Sequence, residues 1–95
     1  MYKDKYHPKV KKDLKKIDKP VQNDIIENQL NKILSNPEEA GNALHGDLEG
    51  IRSFHFTKNK VEYRIAYLID SDASTVYVLS IAKRENFYDL LKNRI

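Results

Sequence analysis

Apolar residues recur along this chain with two different periods. Val10, Leu14 and Ile17 stand at i, i+4 and i+7 with lysines between them, which predicts an amphipathic helix over about residues 8–18. Pro8 suits its first position, and Asp18-Lys19-Pro20 ends it and starts another. The second helix carries Val21, Ile25, Ile26, Leu30, Ile33 and Leu34 and stops near Asn36-Pro37, so the two form a helical hairpin. Ahead of them, Tyr2–Tyr6 alternates as a short edge strand broken by His7-Pro8.

After residue 50 the period changes to two. Ile51–Phe56 places Phe54 and Phe56 on one face and Ser53 and His55 on the other. Glu62–Ile69 sets Tyr63, Ile65, Tyr67 and Ile69 against Glu62, Arg64, Ala66 and Leu68. Thr75–Ala82 sets Tyr77, Leu79 and Ile81 against Val76, Val78, Ser80 and Ala82. The connectors TKNK and DSDAS are short and polar, as hairpin loops are. Residues 36–50 hold all three glycines and a proline and read as loop with room for a short turn of helix, and a last helix over about 86–93 buries Phe87, Leu90 and Leu91.

The expected fold is therefore α+β in the order β-α-α-β-β-β-α, one domain over residues 1–95, with the hairpin docked on one face of an antiparallel sheet. The opposite face is expected to stay open. Parity puts Ser53, His55 and Arg64 there and, carried on through Ser80 and Ala82, Arg84 as well. A histidine and two arginines converging on an open face suit a phosphate.

Charge sharpens this only a little. The net charge of +3 divides into +5 over residues 1–20, −5 over 21–50 and +3 over 51–95. Such segregation fits either a nucleic-acid partner or ordinary solvated helix faces. The chain has no cysteine, which excludes disulfides, thiolate metal sites and a cysteine nucleophile. Its histidines are scattered, so neither a metal nor another cofactor is expected. The N-terminal MYKDKYHPKVKK has no apolar stretch, and no apolar run is long enough to span a bilayer, so a cytoplasmic location is expected.

Three ordered segments carry a resemblance. Leu48-Glu49-Gly50-Ile51-Arg52, Tyr63-Arg64-Ile65-Ala66-Tyr67 and the run Val78 to Tyr88 (VLSIAKRENFY), behind a basic first helix, resemble the RelE/ParE toxin superfamily over nearly the whole chain. The resemblance implies the toxin of a toxin–antitoxin pair, bound by a cognate antitoxin. RelE-type members cut mRNA on the ribosome. ParE-type members share the fold but act on DNA gyrase, and a member that had lost both activities would only bind its antitoxin.

On this resemblance Arg64 and Arg84 match phosphate-stabilising arginines, and Tyr88 falls near a functional tyrosine at shorter spacing. His55 stands where a catalytic lysine is usual, Ser53 where a second one is, and Asp47 where some members carry a general-base glutamate. The implied catalytic set is Arg64, Arg84, His55, Tyr88 and Asp47. The implied RNA contacts are Arg52, Ser53 and Lys83, with Lys11 and Lys12 reaching ribosomal RNA. The catalytic candidates and the helix lysines each have a structural alternative: Arg64 as a partner of Glu62, Arg84 of Glu85 or Asp89, His55 as an exposed strand residue, Asp47 as a turn residue, Tyr88 as helix core, Lys11 and Lys12 as a solvated face.

Overall fold

The computed structural model describes residues 1–95. The predicted order holds, with one added strand. β1 (Lys3–Tyr6), β2 (Asn42–Ala43), β3 (Arg52–Lys58), β4 (Val61–Asp70) and β5 (Thr75–Lys83) form one sheet in the order β1-β5-β4-β3-β2. The two hairpins β3–β4 and β4–β5 are antiparallel, but β1 runs parallel to β5, with Lys3 opposite Thr75 and Tyr6 opposite Val78. The sheet is therefore mixed.

One face carries the helices: α1 (Val10–Lys15), then α2 (Lys19–Asp24), a π-helical turn (Ile25–Gln29) and α3 (Leu30–Ser35) as one continuous helix. α1 is shorter than its pattern predicts. Pro8 and Lys9 are spent on a turn, in which the Lys9 amide donates to the His7 imidazole Nδ1 at 3.1 Å and the Val10 amide to the His7 carbonyl. The π-helical turn inserts one residue into the helical repeat. The buried positions skip from Val21 and Ile25 to Leu30, Ile33 and Leu34, so Ile26, expected in the apolar stripe, is 54% exposed. Asp24 braces the turn by accepting from Asn28 Nδ2 and Gln29 Nε2.

The helices and the sheet enclose a core of Val10, Ile17, Val21, Ile25, Ile33, Phe54, Ile65, Tyr67, Val76 and Val78, among others. Each such side chain contributes on the order of 1.5–3 kcal/mol by leaving water. Phe56 stacks on Tyr63 at 5.3 Å between centroids, a cross-strand pair.

The second face is not open along its whole length. α5 (Phe87–Lys92) lies across it and closes a smaller core of Ile51, Ala66, Leu79, Phe87 and Leu91. Ser53, expected on an exposed surface, is 1% exposed there, in a row with Ala66 and Ser80 across three strands. The simple alternation of β5 also fails. Ala66 pairs with Ser80 but Tyr67 with Val78, so Leu79 is an extra residue, a β-bulge. Before it Val76 and Val78 face the helices; after it Ile81 does, and Ser80 and Ala82 turn to the second face.

Residues 36–50 are more than loop. They hold α4 (Pro37–Ala40), β2 and a 3-10 turn at Gly46–Leu48. Tyr67 passes its hydroxyl hydrogen bond to the Pro37 carbonyl at 2.6 Å. Gly41 sits so close that an added Cβ would stand 2.6 Å from the Tyr67 hydroxyl and 2.8 Å from the Ser53 carbonyl oxygen. Gly41→Ala is therefore expected to destabilise the fold by about 1–3 kcal/mol, read as a lowered urea midpoint at unchanged slope.

Candidate active site

The uncovered end of the second face gathers most of the predicted polar set. His55 of β3 lies directly opposite Arg64 of β4 in the ladder, and Arg64 opposite Ala82 of β5. β5 ends at Lys83, and the 3-10 turn Arg84–Asn86 carries the chain from sheet to α5. Arg64, Arg84, Glu85 and Tyr88 line one open depression of about 620 Å³. One strand, one turn and one helix thus line the depression, and His55 stands next to Arg64 on the neighbouring strand.

Arg64 is held from two sides. Its Nε donates to Glu62 Oε2 at 3.1 Å, and its guanidinium carbon lies 5.7 Å from the centre of the Phe87 ring. The carboxylate fixes the fork's orientation, and the ring supports its plane. Phe87 meets the Tyr88 ring edge-on at 5.0 Å, leaving Tyr88 44% exposed beside the arginines.

His55 Nδ1 stands 3.9 Å from the same Glu62 oxygen. Burial holds the imidazole pKa below its ordinary 6.5; the charge of Arg64 lowers it further, Glu62 opposes, and Arg84 adds to the lowering. Desolvation and two guanidiniums outweigh one carboxylate, so His55 is neutral at neutral pH. That is the protonation state of a proton acceptor.

The rest of the predicted set divides. Asp47 is exposed in the Gly46–Leu48 turn; it makes no ion pair, and the charged groups acting on His55 are Arg64, Glu62 and Arg84. Arg52 Nη2 donates to the Glu38 and Gly41 carbonyls, each at 2.7 Å, and so ties α4 and β2 to the sheet. Ser53 is interior and has no surface to offer RNA. Lys83 is exposed, and with Lys60, Glu62 and Arg84 it lines a second depression beside the first. Lys11 and Lys12 are exposed on α1, in the helical layer across the sheet from His55.

Two contributors escape a reading by residue type. Phe87, predicted as core, is also the platform under Arg64. Asp13 is the other: 3% exposed, it sits within the apolar stripe Val10-Leu14-Ile17 and meets the guanidinium of Arg94. An acid on the buried face of a lysine-rich helix was the available signal.

The sequence model of a family described as ParE-like toxin of type II bacterial toxin–antitoxin systems matches residues 5–92. A toxin RelE of Mycobacterium tuberculosis is 30% identical over 77 residues, covering 81% of this chain and 75% of that protein. Among solved structures, the RelBE2 toxin–antitoxin complex of M. tuberculosis aligns with a TM-score of 0.78 at 24% identity, over 87% of this chain and 98% of the other. The intact RelBE complex of E. coli aligns at 0.71 and 20%, over 87% and 96%. At those identities the structures attest the fold, while the sequence matches attest descent. The chain belongs to the ParE-like toxin family of type II bacterial toxin–antitoxin systems.

Proposed function

We propose that this toxin is an endoribonuclease of the RelE kind, cutting ribosome-bound mRNA in the cytoplasm and thereby stopping translation until a cognate antitoxin binds it. One observation carries the reading: a histidine directly across a β-ladder from one arginine, its neutral form favoured by burial and by the charges of that arginine and a second. Both matched structures named above are complexes with an antitoxin, which supports the inferred partner.

The chemistry is a transesterification. His55 takes the proton of a ribose 2′-OH, and that oxygen attacks the adjacent phosphorus. The bond from phosphorus to the 5′-oxygen breaks, leaving a 2′,3′-cyclic phosphate and a 5′-hydroxyl. Arg64 and Arg84 stabilise the extra negative charge on the pentacoordinate phosphorus, with planar donors suited to its oxygens. In this reading the Tyr88 hydroxyl protonates the leaving oxygen, and its exposed ring stacks on a base. Glu62 replaces Asp47 as the carboxylate nearest His55.

The test is induction without antitoxin, followed by mapping of 5′ ends in translated mRNA. New 5′-hydroxyl ends inside coding regions are expected. Intact mRNA together with gyrase-linked DNA breaks would give the ParE-type action instead, and harmless expression would make the chain a member that only binds its antitoxin.

The pH dependence is a sharper check. A general base works unprotonated, so cleavage rises with pH and levels off once His55 is neutral. Because burial and the two arginines lower its pKa, the inflection is expected below 6.5. Single-turnover rates between about pH 5 and 8 measure it, and His55→Gln should remove the inflection along with most of the rate.

A further inference from the structure

The most deeply buried charges in the molecule lie outside the site. Asp13 of α1 and Arg94, just past α5, form a two-pronged pair, Nη2 to Oδ1 at 2.6 Å and Nη1 to Oδ2 at 2.8 Å, with side chains only 1% and 4% exposed. Such a pair gives up hydration on both ions, and an apolar pair of the same shape is often as stable. What it achieves here lies in its other two bonds. The Ile81 amide donates to Asp13 Oδ2 at 3.1 Å, and Arg94 Nη1 donates to the Leu79 carbonyl at 2.8 Å.

Those backbone groups lie at the β-bulge and two residues past it. Leu79 has no partner across the ladder, and Leu79 and Ile81 flank Ser80, the first residue after the register changes. A bulge with unsatisfied backbone groups is free to slip, and a slip by one residue exchanges every later side chain between faces. Without the extra residue, the parity of Val76 and Val78 would carry Ser80 and Ala82 to the helical face, and the strand would deliver Arg84 from the wrong side. Arg94 also fixes the end of α5, the helix that bears Phe87 and Tyr88.

We propose that Asp13 and Arg94 are positioning residues of the active site: they lock the bulge that turns Arg84 toward His55 and Arg64, and they hold α5 so that Tyr88 stands beside them. The activity arm of the test rests on the endoribonuclease reading above, whereas the exchange arm stands without it.

The experiment compares the full chain with Arg94→Lys and with the double variant Asp13→Asn/Arg94→Met. The double variant leaves no buried charge unpaired and keeps an acceptor for the Ile81 amide. It should melt within a few degrees of the parent. Amides of residues 79–83 and of α5 should exchange at least about tenfold faster, while those of β3 and β4 keep their rates. Single-turnover RNA cleavage should fall by about a hundredfold with substrate affinity little changed, as expected of misplaced rather than missing groups. Arg94→Lys keeps the charge but cannot fork between the carboxylate and Leu79, and should show the same exchange pattern. Parental exchange in both segments in both variants overturns the proposal. Uniform acceleration over the whole sheet overturns it too, since a merely stabilising pair would give that. If the parent cuts no RNA, the functional reading fails, and the exchange pattern alone decides the positioning role.

Discussion

Replacing Arg64 and Arg84 together with alanine should end growth arrest and lower RNA cleavage by at least about a thousandfold. On the proposed mechanism their contribution is made in the transition state, where the phosphorus carries more negative charge than it does in the bound substrate. Only interactions that strengthen at that point raise the rate. Arg64 is oriented before RNA arrives by Glu62 and the Phe87 ring, so it needs little rearrangement at the moment of reaction. The fold should survive the change, because Arg84 is exposed and the side-chain hydrogen bond of Arg64 goes to Glu62 on its own strand. Circular dichroism of the double variant would confirm that. Arg64→Lys separates charge from shape: the charge stays, but the planar fork and its stacking are lost, and most of the activity should go with them. Unchanged growth arrest in the double alanine variant would remove both arginines from the chemistry.

The largest stability effect should come from Phe87→Ala. Phe87 is fully buried at the centre of the smaller core, and truncating it is expected to cost about 3–5 kcal/mol. For a chain of this size that corresponds to a fall of about 15–30 °C in melting temperature. The same ring supports Arg64 and aligns Tyr88, so activity should suffer beyond what unfolding explains. Phe87→Leu tests this directly. It refills much of the volume and should recover most of the melting temperature, but it has no π-face for the guanidinium and no ring for Tyr88 to meet. Full recovery of cleavage by Phe87→Leu would show that the aromatic character is dispensable.

Local rules carried the prediction of β3, β4 and the helical hairpin, because each is written in a period that few neighbours can disturb. The same rules put His55 and Arg64 on one face, and the ladder pairs them directly. What local rules missed is nonlocal or consists of a single inserted residue. The bulge at Leu79 has no glycine to announce it, and its consequence, that Val76 and Val78 join Ile81 on the helical face while Tyr77 and Leu79 turn to the other, is invisible in an otherwise regular alternation. The π-helical turn hides in the same way and puts Ile26 outside. The parallel pairing of β1 depends on a strand far along the chain. Ser53 reads as exposed until α5 is known to cover it, and Arg52 reads as a free cation until the carbonyls of Glu38 and Gly41 are seen in its fork. Asp47 lies in the glycine-rich stretch, where no period relates a residue to the strands. Glu62, dismissed most easily as a surface partner of Arg64, is the carboxylate that His55 meets.

β1 pairs only with β5, Lys3 opposite Thr75, and this bears on how the chain is made. A ribosome releases the protein from its N-terminus, so β1 emerges with no partner and waits for most of the polypeptide to be synthesised. Its charged sequence, Lys3-Asp4-Lys5, is suited to that interval, since an unpaired strand of this composition resists joining a neighbouring chain. β5, Arg84 and Tyr88 follow every other strand off the ribosome. Sheet and candidate site are therefore completed together, once β5 and α5 have both been made.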